Sequence, residues 1–161
     1  MKKIYIAGPD VFEVNAIEIG KRNKEICVQF GFEGFFPLDN EIQGSDKKDI
    51  ATKIAEANID LIKKCDIVVA NLNPFRGKEP DSGTVWECGF GYALGKRVIY
   101  YMDDTKAYID RFSSNEKRNA LDSDGKIIED FGLPVNLMIS CTAEVVEGSF
   151  MDAIKYLKEN N

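Results

Sequence analysis

Short apolar runs of strand-forming residues recur along this chain, and most are separated by enough residues for one helix, which constrains the fold more than any other feature. The runs fall at residues 3–7, 34–36, 67–72, 97–101 and 144–146. Strand-length apolar runs alternating with helical stretches are the pattern of a parallel sheet whose crossover helices pack on its faces. Residues 67–72 and 97–101 have the length and apolarity of central strands, and the other three are expected nearer an edge. Helices are expected over residues 14–30, 49–64, 82–94 and 149–160, with Gly31 and Gly95 as C-terminal stops. The expected architecture is a flavodoxin-like or Rossmann-like α/β fold, a five-stranded parallel sheet with helices on both faces. With 161 residues and no repeat or shift in composition, residues 1–161 are expected to form one domain. Residues 103–133 mix charges with Ser, Asn and Gly and read as a surface excursion, a lid or a subunit contact.

Charge and residue usage then narrow the chemistry. The net charge of -6 argues against a nucleic-acid partner, because neutralising phosphates needs clustered Lys and Arg. The apolar run after Lys2 and Lys3 is shorter than the core of about seven to fifteen residues in a secretory signal, and no membrane-spanning run follows, so a cytoplasmic location is expected. Cys27, Cys65, Cys88 and Cys141 form no CxxC pair and are expected to be buried thiols. The chain has no histidine, which removes a histidine base, a Ser-His nucleophile and a His-ligated metal. Carboxylates, Tyr, Lys or Cys must carry any catalysis, and neither a metal nor a cofactor is expected.

In open α/β sheets, ligands bind beyond the carboxyl ends of the strands, which directs attention to the loops after the first and third runs. The first, from Ala7 through Gly8 and Pro9 to Phe12, bends at Gly8-Pro9 but lacks GxGxxG. It reads equally as a ligand loop or an ordinary strand-to-helix turn. The second leads through Asp81 into Ser82-Gly83-Thr84-Val85-Trp86-Glu87-Cys88-Gly89-Phe90-Gly91. Asp81 is placed either to cap that helix or to act on a ligand. Gly83 and Gly91 lie one turn to either side of Glu87, a bare stripe that costs about 1 kcal/mol of helix stability per glycine. Two explanations stand: a ligand approaches Glu87 closely, or the helix packs tightly with Glu87 paired to Arg76 or Arg97.

Four separated motifs together resemble the nucleoside 2-deoxyribosyltransferase family: Ile4-Tyr5-Ile6-Ala7-Gly8-Pro9 with Phe12, Pro37-Leu38-Asp39-Asn40-Glu41, Asp81-x-Gly83-x-x-x-Glu87-x-Gly89, and Asn136-Leu137-Met138. The resemblance runs from Lys3 to about Met138. It implies that Glu87 attacks the anomeric carbon of a 2'-deoxynucleoside, forming a covalent deoxyribosyl-enzyme that a second free nucleobase resolves with retention. This is the two-step logic of retaining glycosidases. By the same resemblance Tyr5 orients Glu87, Asp81 assists the departing base, and Phe12 and Glu41 lie about the base, while the bend at Gly8 is expected to bring backbone close to the substrate. Asn136 and Met138 serve a neighbouring subunit's site near the 5'-hydroxyl. A homo-oligomer with shared active sites is implied, a dimer or a multiple of dimers, acting in nucleotide salvage. Asn58 departs from the pattern: many relatives carry an aspartate there, and an amide cannot act as an acid. For Phe12 the alternative is core packing.

Two other functions remain open from sequence. One is a 2'-deoxynucleoside 5'-monophosphate N-glycosidase of the same superfamily. Its resemblance pattern has serine where Asp81 stands, and here Asp81 would repel the phosphate while Pro9 removes an amide donor. The other is a non-catalytic nucleotide or flavin binding module, which the fold permits although Gly8-Pro9-Asp10 lacks a phosphate cradle.

Overall fold

The computed structural model describes residues 1–39 and 42–160. Five strands, β1 (Lys3–Ala7), β2 (Glu33–Phe35), β3 (Ile67–Asn71), β4 (Arg97–Met102) and β5 (Glu144–Glu147), form one sheet in the order β2-β1-β3-β4-β5, and every pairing is parallel. The strand nearest the N-terminus differs from expectation. β1 is short, yet it pairs with β2 on one side and β3 on the other, and so lies inside the sheet. Its weak signal reflects its length and the polar Lys3, not its position. β2 and β5 take the edges, and β2 begins one residue before the expected run.

Period-2 alternation sends successive side chains of β1 to opposite faces. Ile4 and Ile6 join Val69, Ile99 and Tyr101 in one core, covered by α1 (Ala16–Gln29) and α6 (Phe150–Glu159). Tyr5 and Ala7 join Val68, Ala70, Val98 and Tyr100 in the other, covered by α2 (Lys47–Lys64) and α3 (Ser82–Ala93). Local chemistry sets the helix ends. Asp46 caps α2 by accepting from the amides of Lys48 and Asp49, both at 2.9 Å, which starts this helix two residues before the expected position. Gly31 and Gly95 follow α1 and α3 with φ of 86° and 70°, the left-handed stop that their lack of a Cβ allows.

After β4 the excursion at residues 103–133 carries a 3-10 turn at Tyr108–Arg111 and a short helix, α4 (Ser114–Asn119), started by a capping box between Ser113 and Glu116. It folds back onto the loop between β3 and α3: the Tyr108 hydroxyl donates to Glu79, and the Lys78 ammonium lies 4.7 Å from the Phe112 ring. One further element was not expected from sequence, the single turn α5 (Leu137–Ser140). Cys27, Cys65 and Cys88 are buried thiols, but Cys141, at the end of α5, is exposed. No helix among the described residues is long and apolar enough to cross a membrane.

Candidate active site

Tyr5 points from β1 toward α3, where Glu87 stands in the second turn of the helix. The buried Tyr5 hydroxyl donates to Glu87 Oε1 at 2.5 Å. Removal from water destabilises the charged carboxylate and pushes the Glu87 carboxyl up to about 7. The Tyr5 bond favours the anion and works against that rise, while the negative charge of Asp81 adds to it. Burial, and then the adjacent carboxylate, raise the Tyr5 phenol far above its ordinary range, so this hydroxyl stays a donor at any physiological pH.

Glu87 lies at a cavity of about 450 Å³ between α2 and α3. The α2 wall is a helical stripe, Ala51, Ile54, Ala55, Ile59 and Ile62, interrupted by one amide, Asn58. Asn58 Oδ1 is buried, has no hydrogen-bond partner among the described residues and borders the same space as Glu87. A buried carbonyl oxygen facing an open cavity is an acceptor waiting for a donor. Trp86 and Gly83 form the α3 wall.

The two glycines flanking Glu87 have different physical causes. A Cβ on Gly91 would stand 2.7 Å from Val68 Cγ2, so this glycine lets α3 press against β3. A Cβ on Gly83 would meet only Asp81 Oδ2, at 3.2 Å, and Gly83 opens onto the cavity. Asp81 does cap α3: its Oδ2 accepts from the Thr84 amide and hydroxyl, each at 2.9 Å. Both bonds fall on one oxygen, and Asp81 is not among the described residues lining the Glu87 cavity. Neither arginine neutralises Glu87. Arg97 is committed to Glu144 through bonds of 2.6 and 2.8 Å, and Arg76 lies over the rings of Phe12 and Phe75.

The remaining residues singled out from sequence are dispersed. Gly8 follows β1 and lies against Asn71, whose Cβ would be 2.9 Å from a Cβ at position 8. Phe12 is 57% exposed and stacked on Phe75 with ring centroids 5.4 Å apart, so it is not a core residue. Asn136 caps α5 by accepting from the Met138 amide at 3.0 Å, and its Nδ2 donates to Glu129 at 2.8 Å. Met138, 68% exposed, borders a separate cavity on the other flank of α3, with Val85, Cys88 and Tyr92. Neither Asn136 nor Met138 is among the described residues lining the Glu87 cavity. Glu41 lies outside the described residues. Among those described, no cluster of His, Cys, Asp or Glu is placed to hold a metal ion.

Trp86 and the α2 stripe were not foreseen from sequence as parts of the site. The signal was present: a lone amide among apolar residues at helical spacing marks a face that meets something polar. A set of side-chain bonds behind the first loop was also missed. Asn71 Nδ2 donates to Asp10 Oδ2 at 3.2 Å, Asn73 donates to Asn71 Oδ1, and the Asp103 amide donates to Asn73 Oδ1 at 2.9 Å.

Residues 4–138 match the model of the nucleoside 2-deoxyribosyltransferase family. A 2-deoxyribosyltransferase from Leishmania mexicana superposes with a TM-score of 0.83 at 35% identity, covering 100% of this chain and 99% of the other. A 2-deoxyribosyltransferase from Bacillus psychrosaccharolyticus shares the fold at a TM-score of 0.62 and 20% identity, over 99% and 92% of the two chains. An uncharacterised protein of Schizosaccharomyces pombe is 32% identical over 84% of this chain and 74% of its own length. The protein is an enzyme of the nucleoside 2-deoxyribosyltransferase family.

Proposed function

We propose that the enzyme transfers the 2-deoxyribosyl group between nucleobases by a two-step retaining mechanism with Glu87 as nucleophile. The observation that carries this reading is a half-buried carboxylate held by a buried tyrosine beside an open cavity large enough for a nucleoside. Tyr5 engages Oε1, and Oε2 attacks C1' of the donor. The N-glycosidic bond breaks with its electron pair passing to the base nitrogen, which Asp81 assists by proton donation or hydrogen bonding. A second base then attacks C1', and Glu87 leaves as the carboxylate. Each displacement inverts C1', so the product keeps the configuration of the donor.

Asn58 Oδ1 accepts from an N–H on the base, Phe12 stacks against it, Gly8 allows close approach of the first loop, and Glu41 contacts its polar edge. Asn136 and Met138 complete the site of a neighbouring copy. Exposed Ile54, Trp86, Tyr92, Leu94 and Met138 on and around α2 and α3 support such an assembly, a dimer or a multiple of dimers. The chain would work as one domain in cytoplasmic nucleotide salvage, a setting that four free thiols suit.

Incubation with 2'-deoxyinosine, with and without adenine, tests the reading. Appearance of 2'-deoxyadenosine only when adenine is present is the expected result. Hypoxanthine release at a rate indifferent to adenine would replace transfer by hydrolysis, and silence toward all deoxynucleosides would remove the catalytic reading.

A further inference from the structure

The sheet has a second face, and it carries a second cavity. Between α1 and α6, at the C-terminal ends of the strands, a space of about 270 Å³ is bordered by Asp10, Arg22, Asn23, Tyr101, Phe150 and Met151, with Ile19 and Ile26 behind them. Asn23 and Tyr101 are each only 6% exposed. Among the described residues, neither the Asn23 carboxamide nor the Tyr101 hydroxyl has a hydrogen-bond partner. Neither group is among the fully buried unpartnered atoms, so both open onto accessible space, and a carboxamide presents two donors and an acceptor at once. The N-terminus of α6 is not the attraction, because the Ser149 amide and hydroxyl are both taken by Asp152.

We propose that this cavity is a second ligand site that takes one free planar heterocycle of nucleobase size, read by Asn23. Its volume lies below the range of about 300–1,000 Å³ typical of sites for larger organic ligands, which suits a ring system without a sugar. The side-by-side donor and acceptor of an asparagine match an edge such as N6 and N7 of adenine. Asp10 accepts from a ring N–H, Tyr101 supplies a hydroxyl, and Phe150 and Met151 offer aromatic and thioether surface to the flat face. Asp10 also accepts from Asn71, the last residue of β3, so an occupant that engages Asp10 touches the bond that ties the first loop to the end of β3. The choice of a nucleobase rests on the proposed transfer reaction, which releases one base and consumes another.

Titrating adenine into the full chain carrying 13C-labelled Ile and Met methyl groups tests the site. Saturable movement of the Ile19, Ile26 and Met151 resonances is expected, alongside that of Ile54 and Ile59 at the Glu87 cavity. Asn23→Leu, with folding checked by thermal melting, should abolish the first set and spare the second. Tyr101→Phe keeps the buried ring and should weaken the first set several-fold, which serves if Asn23→Leu does not fold. Movement confined to Ile54 and Ile59 overturns the second site and leaves transfer at Glu87 intact. Full response in both variants, or no movement at all, also overturns it, and the base-exchange assay then decides the Glu87 site independently.

Discussion

The Tyr5 hydroxyl and Glu87 Oε1 meet at 2.5 Å although 82 residues separate them in sequence. A strand supplies the donor and a helix the acceptor, so the bond forms only when α3 is seated on the sheet. It also opposes the rise that burial imposes on the Glu87 carboxyl, which stands at about 7.

Activity should therefore depend on pH with an acid limb. Glu87 attacks only as the carboxylate, so kcat/KM should climb with pH and level off above about 7. Tyr5→Phe removes the bond that favours the anion and should move the limb to higher pH by about one to two pH units. This follows because a hydrogen bond to a charged group contributes about 1.5–3 kcal/mol and one unit corresponds to about 1.4. A pH–rate profile checks both. A limb at the same pH in the variant, with only a lower plateau, would restrict Tyr5 to packing.

The same carboxyl links stability to pH. Its folded value of about 7 lies above the value of about 4.3 expected when unfolded, so its contribution is complete below about 4.3 and is lost as pH rises through 7. Glu87→Gln should match the parent at pH 4 and exceed it at pH 8 by up to about 3 kcal/mol. Thermal melting at the two pH values reads this directly. An equal effect at both would show that the carboxyl is not held protonated by the fold.

Asp81 can be divided into its two roles. Asparagine caps helices as well as aspartate does, so Asp81→Asn should leave the melting temperature nearly unchanged. If the carboxyl assists the departing base, kcat should fall by about 10²- to 10⁴-fold, the scale of general acid catalysis. Near-parental turnover in a stable variant would reduce Asp81 to a helix cap.

The glycines beside Glu87 should respond in opposite ways. Gly91→Ala drives a methyl group into Val68 and should cost about 1–3 kcal/mol, as overpacking does. Gly83→Ala meets no core atom and gains up to about 1 kcal/mol of helix preference, but narrows the cavity beside Asp81 and should raise KM. Denaturant unfolding and steady-state kinetics on the pair separate packing from access.

Spacing of apolar runs, the stops at Gly31 and Gly95 and the paired Asp81 and Glu87 were legible in the chain itself, because each depends on local geometry or on a motif of nearby residues. Other features were not. β1 lies inside the sheet because β2 and β3 both pair with it, a fact no five-residue window contains. Phe12 carries the same apolar signal whether buried or exposed, and only its stacking on Phe75 above the surface decides the matter. Cys141 follows the apolar run Leu137-Met138-Ile139, which suggests burial, but the short turn of α5 leaves it in solvent.

By itself the sequence determined the parallel α/β plan, the absence of histidine chemistry and the acids available for catalysis, since these follow from periodicity and residue type. Tertiary structure alone decided which carboxyl titrates near 7, that Asn58 shares its cavity, and that Arg76 and Arg97 are engaged elsewhere. Those properties arise from desolvation and contact between residues far apart in the chain, which exist only once the helices are packed on the sheet.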